Sequence, residues 1–251
     1  MDRRLDRRRW VEHVMGMPAS LLLRGPGLDD GVEPAVTAAY DELRLADTLF
    51  STYQDGSEVS RLRRGELAPA DADPLVREVL DLCAEAKART DGWFDVDLPG
   101  GLDPSGLVKG WAIDRAAAVL ADRLPELDVC LNVGGDVAVR SVSGEPFTVG
   151  IEDPHERTRL LTGVPVVAGG LATSGTAARG LHIVDPHTGL PVEALASLSV
   201  VGPSLMWADV YATAGFARGL AGPAWIGGLP SYECLAVHPD GRVIRTAGWP
   251  T

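Results

Sequence analysis

The stretch LDVCLNVGGDVAVRS (Leu127–Ser141) marks the point at which the sequence pattern changes from helical to extended. Apolar residues alternate with polar or small ones on both sides of Gly134-Gly135, which is typical of two strands joined at a bend. The G-x-G-x-x-G spacing is absent and no helical pattern follows. The stretch therefore argues against a Rossmann dinucleotide site.

Downstream of this stretch the chain reads mostly as short strands bounded by glycine, proline or aspartate. The segments with this pattern are PFTVGIEDP, TGVPVVAGG, LHIVDP, ALASLSVVGP and YECLAVHPDGRVIRTAGW. Upstream, after a predicted strand with an internal turn (VEHVMGMPASLLLRGP), helices dominate. Helices in the first half and strands in the second predict an α+β fold with a mostly antiparallel sheet packed by helices.

The predicted helices have recognisable ends. EPAVTAAYDELRLADTLF has an apolar face at helical spacing. Asp73 is a candidate N-cap for the next helix, and Ser204 is one for a late helix, SLMWADVYATAGFARGL. No linker is long enough to separate two domains, so we expect residues 1–251 to form a single domain. Within it, residues 1–9 read as a flexible basic arm.

Composition excludes several classes of protein. The chain has 251 residues and a net charge of −12, which argues against a nucleic-acid-binding protein. No apolar run is long enough to span a bilayer, and no signal peptide or lipid-anchor cysteine is evident. The three cysteines lie among apolar residues, as reduced buried thiols do. We therefore expect a cytoplasmic protein without stable membrane insertion.

A glycine-containing loop runs directly into a helix at Gly101–Leu120, GLDPSGLVKGWAIDRAAAVL. Backbone N–H groups at a helix start, together with Lys109, suit a phosphate group. An ordinary loop before an ordinary helix explains the same residues, so this stretch alone leaves both interpretations open.

Asp209 and Thr213 are four residues apart in the late helix, which places a carboxylate and a hydroxyl on one face. Hard cations such as Mg²⁺ take oxygen ligands of this kind. The alternative is an aspartate in solvent and a threonine bonded to its own helix.

The segment GGLATSGTAARGLHIVDPHTGLP brings His182 close in sequence to Ser174 and Asp185. A histidine in this setting can transfer protons, although a lone histidine is also a common structural residue. The local sequence ATSGT is not the G-x-S-x-G elbow, which argues against a serine hydrolase.

Taken together, these motifs resemble the FAD:protein FMN transferase (ApbE-type flavin transferase) family. The resemblance runs from VMGMP almost to the C-terminus, in the order typical of the family. The motifs that carry it are FSTYQDGSEVSRL, TDGWFDVD, DPSGLVKGWAIDRA, LNVGGDVAV, TVGIEDP, LATSGTAARGLHIVDPHTGLP and ADVYATA. Two departures are DPSGLVKG where the family loop reads close to DLGAIAKG, and MGM in place of MGT.

The resemblance implies an ApbE-like α+β fold that uses FAD as substrate together with Mg²⁺. It implies transfer of FMN to a threonine or serine hydroxyl of an acceptor protein, with AMP as the other product. The implied metal ligands are Asp209, Thr213 and the carbonyl of Gly106. The implied FAD contacts are Met15, Tyr53, Gly92, Trp93, Phe94, Asp103, Lys109 and His182.

A neutral hydroxyl nucleophile benefits from a base, and His182 and Asp185 are the candidates for that catalytic role. Two other functions remain open from the sequence. One is an FAD pyrophosphatase, in which water attacks in place of the acceptor. The other is a non-catalytic flavin-binding protein, which would have little need for a metal at the pyrophosphate.

Overall fold

The computed structural model describes residues 6–98, 100–176, 180 and 183–251. Its helices are α1 (Glu33–Phe50), α2 (Glu58–Arg63), α3 (Pro74–Arg89), α4 (Ser105–Arg123), α5 (Leu205–Ala217) and α6 (Gly222–Ile226). Its strands are β1 (Arg7–Val14), β2 (Met17–Arg24), β3 (Asp97–Leu98), β4 (Gly101–Leu102), β5 (Asp128–Val133), β6 (Asp136–Arg140), β7 (Phe147–Glu152), β8 (Leu160–Val166), β9 (Ala168–Gly175), β10 (Ser197–Gly202), β11 (Glu233–Val237) and β12 (Val243–Arg245).

Eight of the strands form one sheet in the order β1-β2-β5-β6-β9-β10-β11-β12. Every neighbouring pair in it is antiparallel. The pairs β3–β4 and β7–β8 form two small separate sheets. The predicted α+β class with a mostly antiparallel sheet is confirmed.

The two faces of the large sheet are covered differently. In β6, Ala138 packs into the larger core with the helices, whereas Val137 and Val139 face the smaller core beneath β7 and β8. This alternation follows from the two-residue period of a strand. The helix-covered face carries the functional candidates described below. Within the described residues, none of the helices combines the length and apolar character that crossing a bilayer requires.

The N-terminal hairpin corrects one sequence-based expectation. Residues 1–9 are predicted to be a flexible basic arm, but Arg7–Arg9 belong to β1 and pair with residues 22–24 of β2. That part of the prediction is wrong, because β2 satisfies the backbone hydrogen-bonding groups of β1 whatever the charge of its side chains. Residues 1–5 lie outside the described part of the chain.

The predicted strand LHIVDP is a second correction, as far as its described residues 183–186 show. Only an isolated bridge between Val184 and Pro191 is present. Asp185 begins a turn, since its backbone carbonyl accepts from Gly189 N–H at 2.7 Å and its carboxylate accepts from His187 N–H at 2.8 Å. Asp185, which follows the apolar pair Ile183-Val184, thus ends the extended backbone by beginning a turn.

Helices α4 and α5 contact each other closely at Gly110. A Cβ atom built on Gly110 would lie 2.6 Å from the Cα of Met206 and 3.1 Å from the carbonyl oxygen of Leu205. No side chain fits in this space without moving one of the helices. The glycine therefore determines how near the two helices approach.

Asp114, one turn further along α4, is hydrogen-bonded to the start of α5. Its carboxylate accepts hydrogen bonds from the Ser204 hydroxyl at 3.0 Å, Leu205 N–H at 3.3 Å and Met206 N–H at 3.0 Å. Ser204 itself is the N-cap, as predicted, and accepts from the backbone of Trp207. Asp114 thus satisfies N–H groups that a helix start leaves without partners.

We expect Asp114→Ala to lower the free energy of unfolding by about 2–3 kcal/mol, because it leaves buried donors without an acceptor. Urea denaturation measures this change. Asp122→Ala, at an exposed carboxylate of the same helix, is the matched control and should change stability little. Equal effects of the two substitutions would contradict the role assigned to Asp114.

We expect Gly110→Ala to destabilise the protein by about 1–3 kcal/mol, because the added methyl group overpacks the contact between α4 and α5. Gly56→Ala is the control, since a Cβ at Gly56 meets no atom within 4 Å. Thermal melts of both variants test this expectation. A Gly110 variant as stable as the wild type would show that α4 and α5 can move apart without a loss of unfolding free energy.

Candidate functional site

The candidate site lies at one end of the large sheet, where the β1–β2 and β5–β6 turns meet. Gly134 N–H donates to the carbonyl of Pro18 at 3.0 Å, which joins the two turns. Gly134 has φ = 59°, and a Cβ there would meet the flexible side chain of Met17. The positive φ is the main reason for glycine at this position.

Lys109 in α4 pairs with Asp136, the first residue of β6. The Lys109 ammonium lies 2.6 Å from Asp136 Oδ2, and Asp136 is only 1% exposed. The other carboxylate oxygen of Asp136 accepts a hydrogen bond from Thr173 N–H at 3.1 Å. A buried ion pair therefore links α4 to two strands of the sheet.

Asp209, the only charged residue of α5, lies beside this pair and is 3% exposed. Burial raises the pKa of Asp209 to about 8; the Lys109 ammonium opposes this shift and the Asp136 carboxylate adds to it. Asp209 Oδ2 is buried and has no hydrogen-bond partner among the described residues. The alternative of an Asp209 side chain in solvent is therefore wrong.

The other two predicted metal ligands lie close together. A Cβ built on Gly106, in the first turn of α4, would lie 3.7 Å from the hydroxyl oxygen of Thr213. That hydroxyl is 3.2 Å from the hydroxyl of Ser174 in β9, so it reaches across to the sheet. Since Asp209 precedes Thr213 by one helical turn, the structure brings the predicted metal set to one place.

This set fits a hard divalent cation. Asp209 Oδ2 is a buried carboxyl oxygen without a donor, and carboxylate, hydroxyl and carbonyl oxygens are the ligands that Mg²⁺ prefers. When both are ionised, Asp136 and Asp209 carry two negative charges against the single positive charge of Lys109, and a bound cation would favour the ionised form of Asp209 despite its raised pKa. The described residues contain no group of three or more His, Cys, Asp or Glu side chains placed to bind a metal.

The turn Gly92-Trp93-Phe94 connects the metal set to the loop that contains Asp185. Phe94 is buried, and its ring lies 3.2 Å from the Cβ position of Gly106. The Trp93 ring meets His187 edge-on, with 4.7 Å between the ring centroids. Three predicted flavin-contacting residues thus lie between α4 and the loop at Asp185.

Asp103 stands at the start of α4, where its carboxylate accepts a hydrogen bond from Ser105 N–H at 3.0 Å. Its own N–H donates to the carbonyl of Val96 at 2.8 Å. These bonds fix the loop that leads from the Phe94 turn into α4. Asp103 therefore shapes the loop that precedes Gly106 and Lys109.

Met15 and Tyr53 are two predicted flavin-contacting residues that do not belong to the buried cluster of Lys109, Asp136 and Asp209. Met15 forms the β1–β2 turn with φ = 54°, a conformation that is uncommon outside glycine. Tyr53 is 93% exposed. It follows α1 closely, and Phe50 at the end of α1 packs edge-on against Trp111 of α4. Both residues remain predicted flavin or adenosine contacts.

Of the two candidate bases, His182 lies outside the described residues. Asp185 is half-buried, and its carboxylate holds the turn to His187 described above. Asp136 was missed as a site residue, because its sequence context indicated only a strand bend. The available signal was a charged residue in the alternating pattern DVAV, at a position that shares the inward face with Ala138.

Comparison with known proteins identifies relatives of this chain. Residues 15–100 and 98–236 match the ApbE family. The FAD:protein FMN transferase of Salmonella typhimurium (strain LT2) is 25% identical over 241 residues, a match that covers 70% of this chain and 69% of that protein. The FAD:protein FMN transferase of Escherichia coli (strain K12) is 32% identical over 138 residues, covering 48% of this chain and 38% of that protein.

Solved structures agree on the fold. The ApbE protein of Thermotoga maritima superposes with a TM-score of 0.83 at 19% identity, covering 96% of this chain and 97% of that one. The flavin transferase ApbE of Vibrio cholerae gives 0.81 at 20% identity, covering 97% and 98%. The expected ApbE-like fold is thereby confirmed. Because the family match extends over most of its length, the chain belongs to the ApbE family.

Proposed function

We propose that this protein catalyses the Mg²⁺-dependent transfer of FMN from FAD to a threonine or serine hydroxyl of an acceptor protein, with release of AMP. The observation that carries the proposal is the buried cluster of Lys109, Asp136 and Asp209. When both of its carboxylates are ionised, their negative charge exceeds the positive charge of its one ammonium group. A divalent cation that also contacts a pyrophosphate would balance this excess.

The relatives support this reaction. The Salmonella typhimurium and Escherichia coli relatives are both FAD:protein FMN transferases. The match spans about two thirds of the first protein and a smaller part of the second.

In the proposed reaction the acceptor hydroxyl oxygen forms a bond to the phosphorus on the FMN side of the pyrophosphate. The bond from that phosphorus to the bridging oxygen breaks, and AMP leaves with the bridging oxygen. The hydroxyl proton passes to a base, for which His182 and Asp185 are the candidates. Lys109 contacts the pyrophosphate and stabilises the negative charge that grows on its oxygens.

Asp209, Thr213 and the Gly106 carbonyl are the groups that would hold Mg²⁺. When bound, the cation neutralises charge on the phosphate oxygens that Lys109 alone would leave uncompensated. The unpartnered Oδ2 of Asp209 and the short separation of Gly106 and Thr213 support this assignment.

Residues around the cluster would bind the rest of FAD. Trp93 and Tyr53 offer aromatic surfaces to the flavin or adenine rings, and the exposure of Tyr53 leaves its ring accessible. The full proposed set of FAD-contacting residues is Met15, Tyr53, Gly92, Trp93, Phe94, Asp103, Lys109 and His182.

The proposal is tested by incubating the protein with FAD, Mg²⁺ and candidate acceptor proteins. We expect the mass of one acceptor to increase by one FMN moiety, with AMP released in equal amount. The control is the same acceptor with its modified threonine or serine replaced by alanine. Free FMN and AMP without a labelled acceptor would indicate attack by water, and an absence of AMP under all conditions would contradict both reactions.

We expect Asp209→Asn to abolish the stabilisation of the protein by Mg²⁺ and its Mg²⁺-dependent cleavage of FAD, since it removes the only charged ligand of the proposed set. Without metal, the variant should melt no lower than the wild type, because asparagine has nearly the same size and brings no charge into the buried position. Thermal melts with and without Mg²⁺ measure both effects.

Thr213→Val is the comparison for the metal experiment. It removes a neutral ligand and should weaken the Mg²⁺ effect less than Asp209→Asn does. If Mg²⁺ stabilised the Asp209 variant as strongly as the wild type, α5 would not hold the metal.

A further inference from the structure

Asp136 is the one member of the buried cluster to which the family resemblance gives no role. We infer that Asp136 is a positioning residue that holds the Lys109 ammonium where the pyrophosphate binds. This inference rests on the proposed function, because it concerns the lysine that the proposed reaction uses.

The carboxylate of Asp136 is held rigidly by the sheet. Its backbone begins β6, opposite Val133 of β5. Its Oδ1 accepts the Thr173 N–H of β9 at 3.1 Å, so the side chain is tied to the strand on the other side as well. Asp136 therefore has little freedom to move within its buried position.

Lys109 is the mobile member of the pair, because its charge stands at the end of four methylene groups. Its ammonium lies 2.6 Å from Asp136 Oδ2, and its side chain is 19% exposed, against 1% for Asp136. The lysine side chain is thus partly accessible, whereas the carboxylate is not. A fixed carboxylate at its inner side restricts the positions that the ammonium can adopt.

Breaking the ion pair between Lys109 and Asp136 has a large free-energy cost. Asp136 Oδ2 is buried, and Lys109 is the one cation paired with it among the described residues. Moving the lysine away would leave this charge buried and uncompensated. An ammonium group has three donors, so it can contact a phosphate oxygen while it stays paired with Asp136.

The charge of Asp136 also determines which carboxylate Lys109 prefers. The lysine interacts electrostatically with Asp209 as well. Without Asp136, the ammonium would turn to Asp209 and neutralise the carboxylate proposed to bind the cation. Asp136 therefore keeps the lysine and the metal ligand in separate roles.

A double-mutant cycle with Asp136→Asn and Lys109→Met tests this inference. Asparagine keeps the size of the side chain and an acceptor for Thr173 N–H, and removes the charge. We expect Asp136→Asn to lower kcat for FAD cleavage at least tenfold and to weaken FAD binding without metal, measured by flavin fluorescence. In the Lys109→Met background the same change should alter FAD binding without metal less than twofold, because the group it positions is absent.

Asp128→Asn is the matched control. Asp128 is also 1% exposed and pairs with a cation, Arg24, at 2.8 Å. It begins β5, five positions from the Val133 that faces Asp136, which corresponds to about 17 Å along the strand. We expect this variant to melt at lower temperature and to keep the wild-type kcat and FAD affinity.

The outcomes separate the inference from the function on which it rests. A wild-type protein that neither binds nor cleaves FAD would contradict the proposed function. If the wild type is active but Asp136→Asn has the same effect in both backgrounds, Asp136 acts independently of Lys109 and the inference is wrong. Should Asp136→Asn fail to fold, Asp136→Glu replaces it in the same cycle, because one added methylene displaces the ammonium while keeping the charge.

Discussion

The contact between α4 and α5 at Gly110 and Met206 determines whether the buried cluster exists. Lys109 and Gly106 come from α4, and Asp209 and Thr213 come from α5, so any separation of the helices would move the charges apart. Asp114 holds the same pair of helices one turn away. Two points of attachment prevent one helix from rotating on the other, and this rigidity is what an electrostatic site requires.

The buried cluster of Lys109, Asp136 and Asp209 does not stabilise the fold as a group of apolar residues would. Two buried carboxylates share one ammonium group; burial raises the pKa of Asp209, and the neighbouring Asp136 carboxylate adds to this shift. Apolar residues of similar volume would often stabilise a fold better than such a group. Buried charge that the fold does not need is typical of binding and catalytic sites. The rest of the protein therefore supplies the stability that this end of the sheet lacks.

Features that depend on neighbouring residues in the chain could be predicted from the sequence. Helix α1 follows from its apolar period and α3 from its cap at Asp73, because both signals are local. The role of Asp136 could not be predicted, since it depends on the register of β5, β6 and β9 and on a helix elsewhere in the chain. The positive charge of Arg7–Arg9 indicates a solvated arm, but backbone hydrogen bonds to β2 make these residues part of a strand.

The pairing of β2 with β5 has a consequence for synthesis of the protein. Arg24 and Asp128 are 104 residues apart, so β2 leaves the ribosome long before its second neighbour. At about 5–20 residues per second, the delay is about 5–20 s. During that time the edge of β2 that later pairs with β5 has no hydrogen-bonding partner. Leu21 and Leu23, which are buried in the folded protein, are exposed to solvent. We therefore expect the yield of folded protein in cells to depend on chaperones that protect this hairpin.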